Sequence, residues 1–334
     1  MRAPMFEVLV VVSACTPATH EENAATETPL ADTDVEGLDG DGDGYVADAD
    51  CDDADANLHV WGPQGGDVDL DFQAEIDSFC DSFVGVSCST HVDSVLLDST
   101  DATNLDGLGC IFAVEGTLEI GGNEHLTDVQ GLSALTFVGW GLVITSNNTL
   151  TNIDGLTSLR TVDGYVAVTY NPALTNIDGL APVTDIGGAL LANIDPEVVD
   201  VVAVDVSHNP ALTNIDGLAG IHTLPADLDI YSNAALTNVD GLAGLTHLGG
   251  ELYLGYNHKL AEVDGLASLT QIDGPLNLRY NGQLANVEGL HGVTSVGGGV
   301  NVSNNPMLPS AAAQALIDAI DTIFGTVTVE NNGP

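Results

Sequence analysis

The sequence predicts an all-β protein, a parallel β-solenoid of 24-residue turns, and three observations carry that reading. The segments Leu118-Glu-Ile120, Leu142-Val-Ile144, Val166-Ala-Val168, Val204-Asp-Val206, Leu228-Asp-Ile230, Leu252-Tyr-Leu254, Leu276-Asn-Leu278 and Val300-Asn-Val302 recur at that interval. A fixed period of this length means that each unit buries its apolar face against copies of itself. Within each segment apolar residues alternate with an outward residue, the period of a short strand. Between the segments lie Asn-rich corners and Asp-Gly turns, which bend the chain and leave no room for a helix. One interval departs. Val166 to Val204 spans 38 residues, and is expected to hold a degenerate turn at Leu190 to Ala192 and a shortened stretch from Asp195-Pro196-Glu197.

Before the repeats come three segments of different character. Residues 1–15 combine Arg2, the apolar stretch Val8 to Val12 and then Ser13-Ala14-Cys15. This resembles a bacterial lipoprotein signal, whose small residues precede a Cys that is cut free and lipidated, and it implies a lipid anchor on Cys15; an ordinary secretory signal is the alternative. Residues 16–36 are rich in Thr, Ala, Glu and Pro, the composition of a solvated tether. Residues 37–87 form an acidic module. With Asp39 as position 1 of a loop, Asp41, Asp43 and Asp50 fall at positions 3, 5 and 12, Gly44 at the sharp turn and the Tyr45 carbonyl at position 7. Such an oxygen cage suits a hard cation, so calcium is the expected cofactor. The string Asp39 to Asp53, with its Cys51, also resembles the acidic metal-binding repeat of bacterial surface proteins.

Setting Cys15 aside, Cys51, Cys80, Cys88 and Cys110 are an even number, as an exported protein favours. Of the three pairings open to them, Cys51–Cys80 and Cys88–Cys110 close one loop within each module and are the expected ones. No Cys-x-x-Cys pair exists and the nine His are scattered, which argues against zinc.

From residue 88 to 334 the repeats take over. Asn123, Asn147, Asn171, Asp195, Asn209, Asn233, Asn257, Asn281 and Asn305 occupy one column at the first corner, where stacked side chains can satisfy backbone groups of adjacent turns. The columns headed by Ile153 and Leu156 are core. Asp106, Asp154, Asp178, Asp216, Asp240, Asp264 and Glu288 hold another position, where each carboxylate is expected to accept N–H bonds within its own turn. Ser310 to Ile320 reads as a small capping helix with Ser310 as N-cap.

The run Cys110-Ile-Phe-Ala-Val-Glu-Gly116-Thr-Leu-Glu-Ile120, with Cys88 upstream and Asn-x-x-Leu-Thr-x-Val/Ile-x-Gly-Leu units following, resembles the receptor L domain, which includes ligand-binding domains of insulin and epidermal growth factor receptors. The resemblance implies a right-handed β-helix and a disulfide closing the first turn, in support of Cys88–Cys110. It implies no catalytic residue and no particular ligand.

Charge narrows the function. Four basic against 49 acidic residues give a net charge of −45, which excludes phosphate-backbone binding to nucleic acid. An apolar fraction of 44% is too high for a disordered acidic chain, and no apolar run reaches the length of a membrane span. Membrane attachment is therefore expected only through the lipid. The outward residues Tyr231, Tyr253, Tyr256, Arg279 and Tyr280 come from consecutive turns, and Tyr and Arg are favoured at binding hot spots. These observations predict a non-enzymatic, lipid-anchored envelope or surface protein that recognises a protein or glycan. A carbohydrate-active β-helix enzyme and a structural coat protein are the rivals; the enzyme would need carboxylates or a base paired in a cleft, and no such constellation stands out among residues that recur by repeat.

Overall fold

The computed structural model describes residues 68–70, 72–80, 90–188 and 201–334. The repeats wind as a parallel β-solenoid. Its long side is an eleven-stranded parallel sheet that starts at Val68–Asp69 and Val95–Asp98 and ends at Val300–Ser303 and Val327–Glu330. A regular turn then makes a single 3-10 turn, such as Asp154–Leu156, and a two-residue strand on a second side, such as Thr161–Val162, while the helices Gln73–Phe79 and Ser310–Ala319 take the place of the 3-10 turn at the two ends. The alternating residues of the long strands point inward as predicted: Leu142, Ile144, Val166 and Val168 are buried in one continuous core with Ile153 and Leu156.

The Asn column is a hydrogen-bonded ladder running the length of the described solenoid. Asn147 donates its N–H to Asn171 Oδ1 at 3.0 Å and its Nδ2 to the Ile120 carbonyl at 2.9 Å. The same pair of bonds repeats at Asn209, Asn233, Asn257 and Asn281. Thr100 starts the ladder on Asn123 and Asn332 ends it under Asn305. The residue before each Asn adopts a left-handed conformation: Ser146, Tyr170, His208, Ser232, Tyr256, Tyr280 and Asn304 all have φ between 56° and 60°. That reversal turns the Asn inward and throws the preceding side chain outward. A second set of Asn residues starts the 3-10 turns, Asn176 Oδ1 accepting the Asp178 N–H at 3.0 Å. The glycine of each Asp-Gly-Leu is required by close packing, since a Cβ at Gly179 would collide with the Ile153 carbonyl of the previous turn.

Several expectations are corrected. Val204 pairs directly with Val166, and Asn171 donates to Asn209 at 2.9 Å, so the 38-residue interval is one turn carrying an insertion. Among the described residues no strand and no rung stands between them; Leu190 to Ala192 and Asp195 lie outside the described part. The carboxylates of Asp154, Asp178, Asp216 and Asp240 accept no hydrogen bond among the described residues, because the Asn two positions earlier takes the N–H instead. They stand exposed in a row, and slight burial together with Asp216 and Asp154 holds the Asp178 carboxyl above its ordinary range. The helix Ser310–Ala319 forms, but Pro309 is its N-cap residue and the Ser310 hydroxyl donates to the Gly333 carbonyl.

The N-terminal end also differs. Cys80 is bonded to Cys110, which replaces both expected pairings, Cys51–Cys80 and Cys88–Cys110. The reason is local: the helix Gln73–Phe79 packs on the 3-10 turn Asp106–Leu108, with Ile76 buried and Gln73 Oε1 accepting the Thr103 N–H at 2.7 Å, so Cys80 arrives beside Cys110. Residues 68–70 and 72–80, assigned from sequence to the acidic module, thus pack on the solenoid's first turns. Cys51 and Cys88 lie outside the described residues.

Two predictions follow from this architecture. Asn233→Leu deprives the Asn209 N–H and the Val206 carbonyl of their partners, which costs on the order of 2 to 5 kcal/mol, against about 1 kcal/mol for Asn176→Ala at an exposed turn. Urea denaturation of both variants checks the ranking. Non-reducing peptide mapping should recover a Cys80–Cys110 peptide, and Cys110→Ser should cost about 3 to 4 kcal/mol for the loop between them.

Candidate functional site

The ladder and the strand pleat together display two kinds of side chain on the outer face of the long sheet. The first are the mid-strand residues, which run in register as Ala167, Asp205, Asp229, Tyr253, Asn277 and Asn301. The strand-end column beside them contains Ser207, Tyr231, Gly255, Arg279 and Ser303. The second kind are the left-handed residues of the corner. Tyr170, Tyr256 and Tyr280 are 54%, 40% and 41% exposed there, although a left-handed conformation costs a Cβ-bearing residue roughly 1 to 2 kcal/mol.

These columns converge in one aromatic band. Tyr170 and His208 stack at 4.3 Å between centroids, and His208 meets Tyr231 edge-on at 5.0 Å. Tyr231 stacks on Tyr253 at 5.4 Å, and the Arg279 guanidinium lies 5.0 Å from the Tyr253 centroid. Tyr256 and Tyr280 form a parallel pair at 4.6 Å. Gly255 makes room for this arrangement, because a Cβ there would meet the Tyr253 ring. Of the five residues chosen from sequence, Tyr231, Tyr253 and Arg279 form one stack, and Tyr256 and Tyr280 form a separate pair.

The sequence reading missed His208 and the polar residues beneath the rings. His208 looked scattered among the nine His, yet it precedes Asn209 as Tyr170 precedes Asn171, so aligning on the ladder Asn identifies it. Among the described residues, Asp205 Oδ1, His208 Nδ1, Arg279 Nε and Asn301 Oδ1 are buried with no protein hydrogen-bond partner, and the buried Ser207 hydroxyl lies within hydrogen-bonding reach of Asp205 and Tyr231. Burial pushes the Asp205 carboxyl up to about 6, with the Ser207 side chain opposing the shift. Burial also lowers His208 and raises Tyr231 and Tyr253, Arg279 opposing the last. A groove of about 560 Å³ lies along the corner and is lined by Tyr170, His208, Pro172 and Pro210 among others.

A second groove, of about 600 Å³, opens on the other sheeted side of the solenoid. There the strands Asp185–Ile186 and Thr223–Leu224 belong to separate five-stranded sheets. Gly187 and Gly249 donate N–H bonds across that side, to Val162 and Leu224, but Pro225 stands at the intervening place and has no N–H to give. His247 Nε2 lies 2.9 Å from Asp273 Oδ2 in this groove, and the Gln271 amide and His247 hold the Asp273 carboxyl down. Among the described residues no hydroxyl bonds to His247.

The loop residues Asp39, Asp41, Asp43, Tyr45 and Asp50, together with the lipidation residue Cys15, lie outside the described part. Among the described residues no group of three or more metal-ligating side chains converges, and no helix is long and apolar enough to cross a membrane. No protein-family model and no curated protein matches the chain.

The raised Asp205 carboxyl predicts an unusual pH response. Its folded state binds a proton more tightly than its unfolded state, so this group's contribution is fully present below the unfolded value of 3.8 and is lost as pH rises through about 6. Wild type minus Asp205→Asn in unfolding free energy should therefore become more favourable to wild type between pH 7 and pH 4, by on the order of 2 to 3 kcal/mol. The subtraction removes His208, which acts in the opposite sense. Chemical denaturation across that range measures it.

Proposed function

We propose that this chain is a non-enzymatic, calcium-binding lipoprotein of the cell envelope or surface, whose long-sheet outer face recognises a ligand. The observation that carries the reading is the aromatic band: exposed Tyr rings stand in left-handed backbone positions and stack across successive turns. Strained, exposed aromatic residues add little to a fold and much to an interface. A solenoid suits the task, because outward residues change without disturbing the core. Compartment and anchoring rest on the lipoprotein-like start ending at Cys15, on the tether of residues 16–36 and on a disulfide that fits an oxidising environment. The resemblance to receptor L domains adds the expectation of a right-handed helix used for ligand recognition. Calcium would be held by Asp39, Asp41, Asp43, Asp50 and the Tyr45 carbonyl, stiffening the segment between tether and solenoid.

Three measurements test this. Labelled fatty acid should mark the native protein and leave Cys15→Ser unmarked. Calorimetry on the full Cys15→Ser chain should show saturable calcium binding that Asp41→Ala with Asp43→Ala removes, and equal binding by that variant would refute the loop. Labelled Cys15→Ser chain should bind envelope preparations saturably, and Tyr256→Ser with Tyr280→Ser should weaken it at least about tenfold; undiminished binding would exclude the aromatic face.

A further inference from the structure

We propose that Tyr256 and Tyr280 form a modification site, at which a one-electron oxidant joins the two rings by a carbon–carbon bond and staples adjacent turns of the solenoid. It depends on the geometry of this pair and not on the recognition of a ligand.

The corner column singles the pair out. Small or polar residues such as Ser146, Ser232 and Asn304 fill much of that left-handed column, where a bulky side chain is disfavoured. Tyr stands there in two successive turns only at Tyr256 and Tyr280 among the described residues. Both leave the corner with nearly the same backbone angle, φ 56° and 60°, so their side chains set out in the same direction. The ring centroids are 4.6 Å apart and the planes 10° from parallel. Ser232 and Asn304, on either side in the column, carry no ring, so the two phenols have only each other there.

Exposure makes the pair reactive. With 40% and 41% of their surface open, both phenols can meet an oxidant and release a proton to water. Each gives up one electron and its hydroxyl proton to an oxidant of the peroxidase and hydrogen peroxide class. The two phenoxyl radicals join through one Cε of each ring, the carbon ortho to the oxygen, and the hydrogen displaced from each of those carbons returns to a phenolic oxygen. Hydrogen peroxide takes up the two electrons and two protons and leaves as two waters, so the chain becomes lighter by two hydrogen atoms. Stacking supplies the encounter, because a radical on either ring already has the second phenol beside it. The net charge of −45 holds other copies of the chain at a distance, which favours coupling within one chain over coupling between two.

The other rings of the band each lack one of these conditions. Tyr170 stacks on His208, which offers no phenol. Tyr231 and Tyr253 are further apart, at 5.4 Å, and 26° from parallel. Burial raises both of those phenols above their ordinary range, although Arg279 opposes the shift at Tyr253, so their protons leave less readily. The Arg279 guanidinium lies 5.0 Å from the Tyr253 centroid, and a cation over the ring makes removal of an electron from it costlier.

The test treats the full Cys15→Ser chain with a heme peroxidase and limiting hydrogen peroxide, and reads the intact mass and the cross-linked peptides. The expected product is a monomer lighter by two hydrogen atoms, with the new bond mapped between Tyr256 and Tyr280. Tyr256→Phe and Tyr280→Phe keep the ring and lose the phenol, and either should abolish that product, whereas Tyr231→Phe should leave it intact. The stapled chain should unfold at a higher urea midpoint than the untreated chain, because a bond between turns restricts the unfolded state as a disulfide does. A bond mapped to Tyr231 and Tyr253, coupling only between chains, no coupling at all, or a product that survives in either Phe variant overturns the proposal. Mapping on the unsubstituted Tyr pair decides the matter even where a variant fails to fold.

Discussion

One buried hydrogen-bond ladder governs this molecule. A corner taken every 24 residues leaves main-chain groups facing the interior, where an unpaired N–H or carbonyl is costly. The Asn side chain answers both at once, its Oδ1 accepting from the Asn of the preceding turn and its Nδ2 donating to a strand carbonyl of that same turn. Because each rung bonds to its neighbour, the ladder also fixes register: a slip by one residue would break it at every turn and turn the apolar strand positions outward. The left-handed residue before each Asn is the geometric consequence. The outward column of the corner, with its Tyr and His rings, thus exists because the inward column must be satisfied.

Much of this was legible in the sequence. The period, the alternation in segments such as Leu228-Asp-Ile230 and the recurrence of Asn gave the solenoid, its core and its ladder, since all three are constraints repeated at every turn. What escaped was whatever occurs once. The Val166–Val204 interval reads equally well as two shortened turns or as one turn with an insertion, and only the pairing of Val204 with Val166 decides. Cys80 finds Cys110 through a helix on the end of the stack, a contact no spacing rule encodes. The Asp column misled in a different way: Asp-Gly suggested a self-bonded turn, but the preceding Asn had already taken the N–H.

The same contrast applies to the candidate site. Tyr231, Tyr253, Tyr256, Arg279 and Tyr280 were found by asking which outward residues are chemically unusual for an acidic, small-residue repeat. Asp205, Ser207 and Asn301 are ordinary outward residues of such a repeat. Their burial is a property of side-chain conformation and neighbouring turns, Ser207 lying fully covered beside Asp205 and Tyr231.

The break at Pro225 has a mechanical meaning. In a stack of repeats, stability is nearly a sum of unit terms and nearest-neighbour interfaces. Between the turns that carry Ile186 and Leu224, one of the two sheeted sides shows no strand pairing among the described residues, so that interface is held by the long sheet, the Asn171–Asn209 rung, the bonds of Thr213 to the Thr175 carbonyl and the core. The solenoid is therefore a rod with a seam. The aromatic face crosses that seam, with Tyr170 on one side and His208 to Arg279 on the other. Anything bound across the full band would splint the one junction where the second side supplies no strand pairing among the described residues.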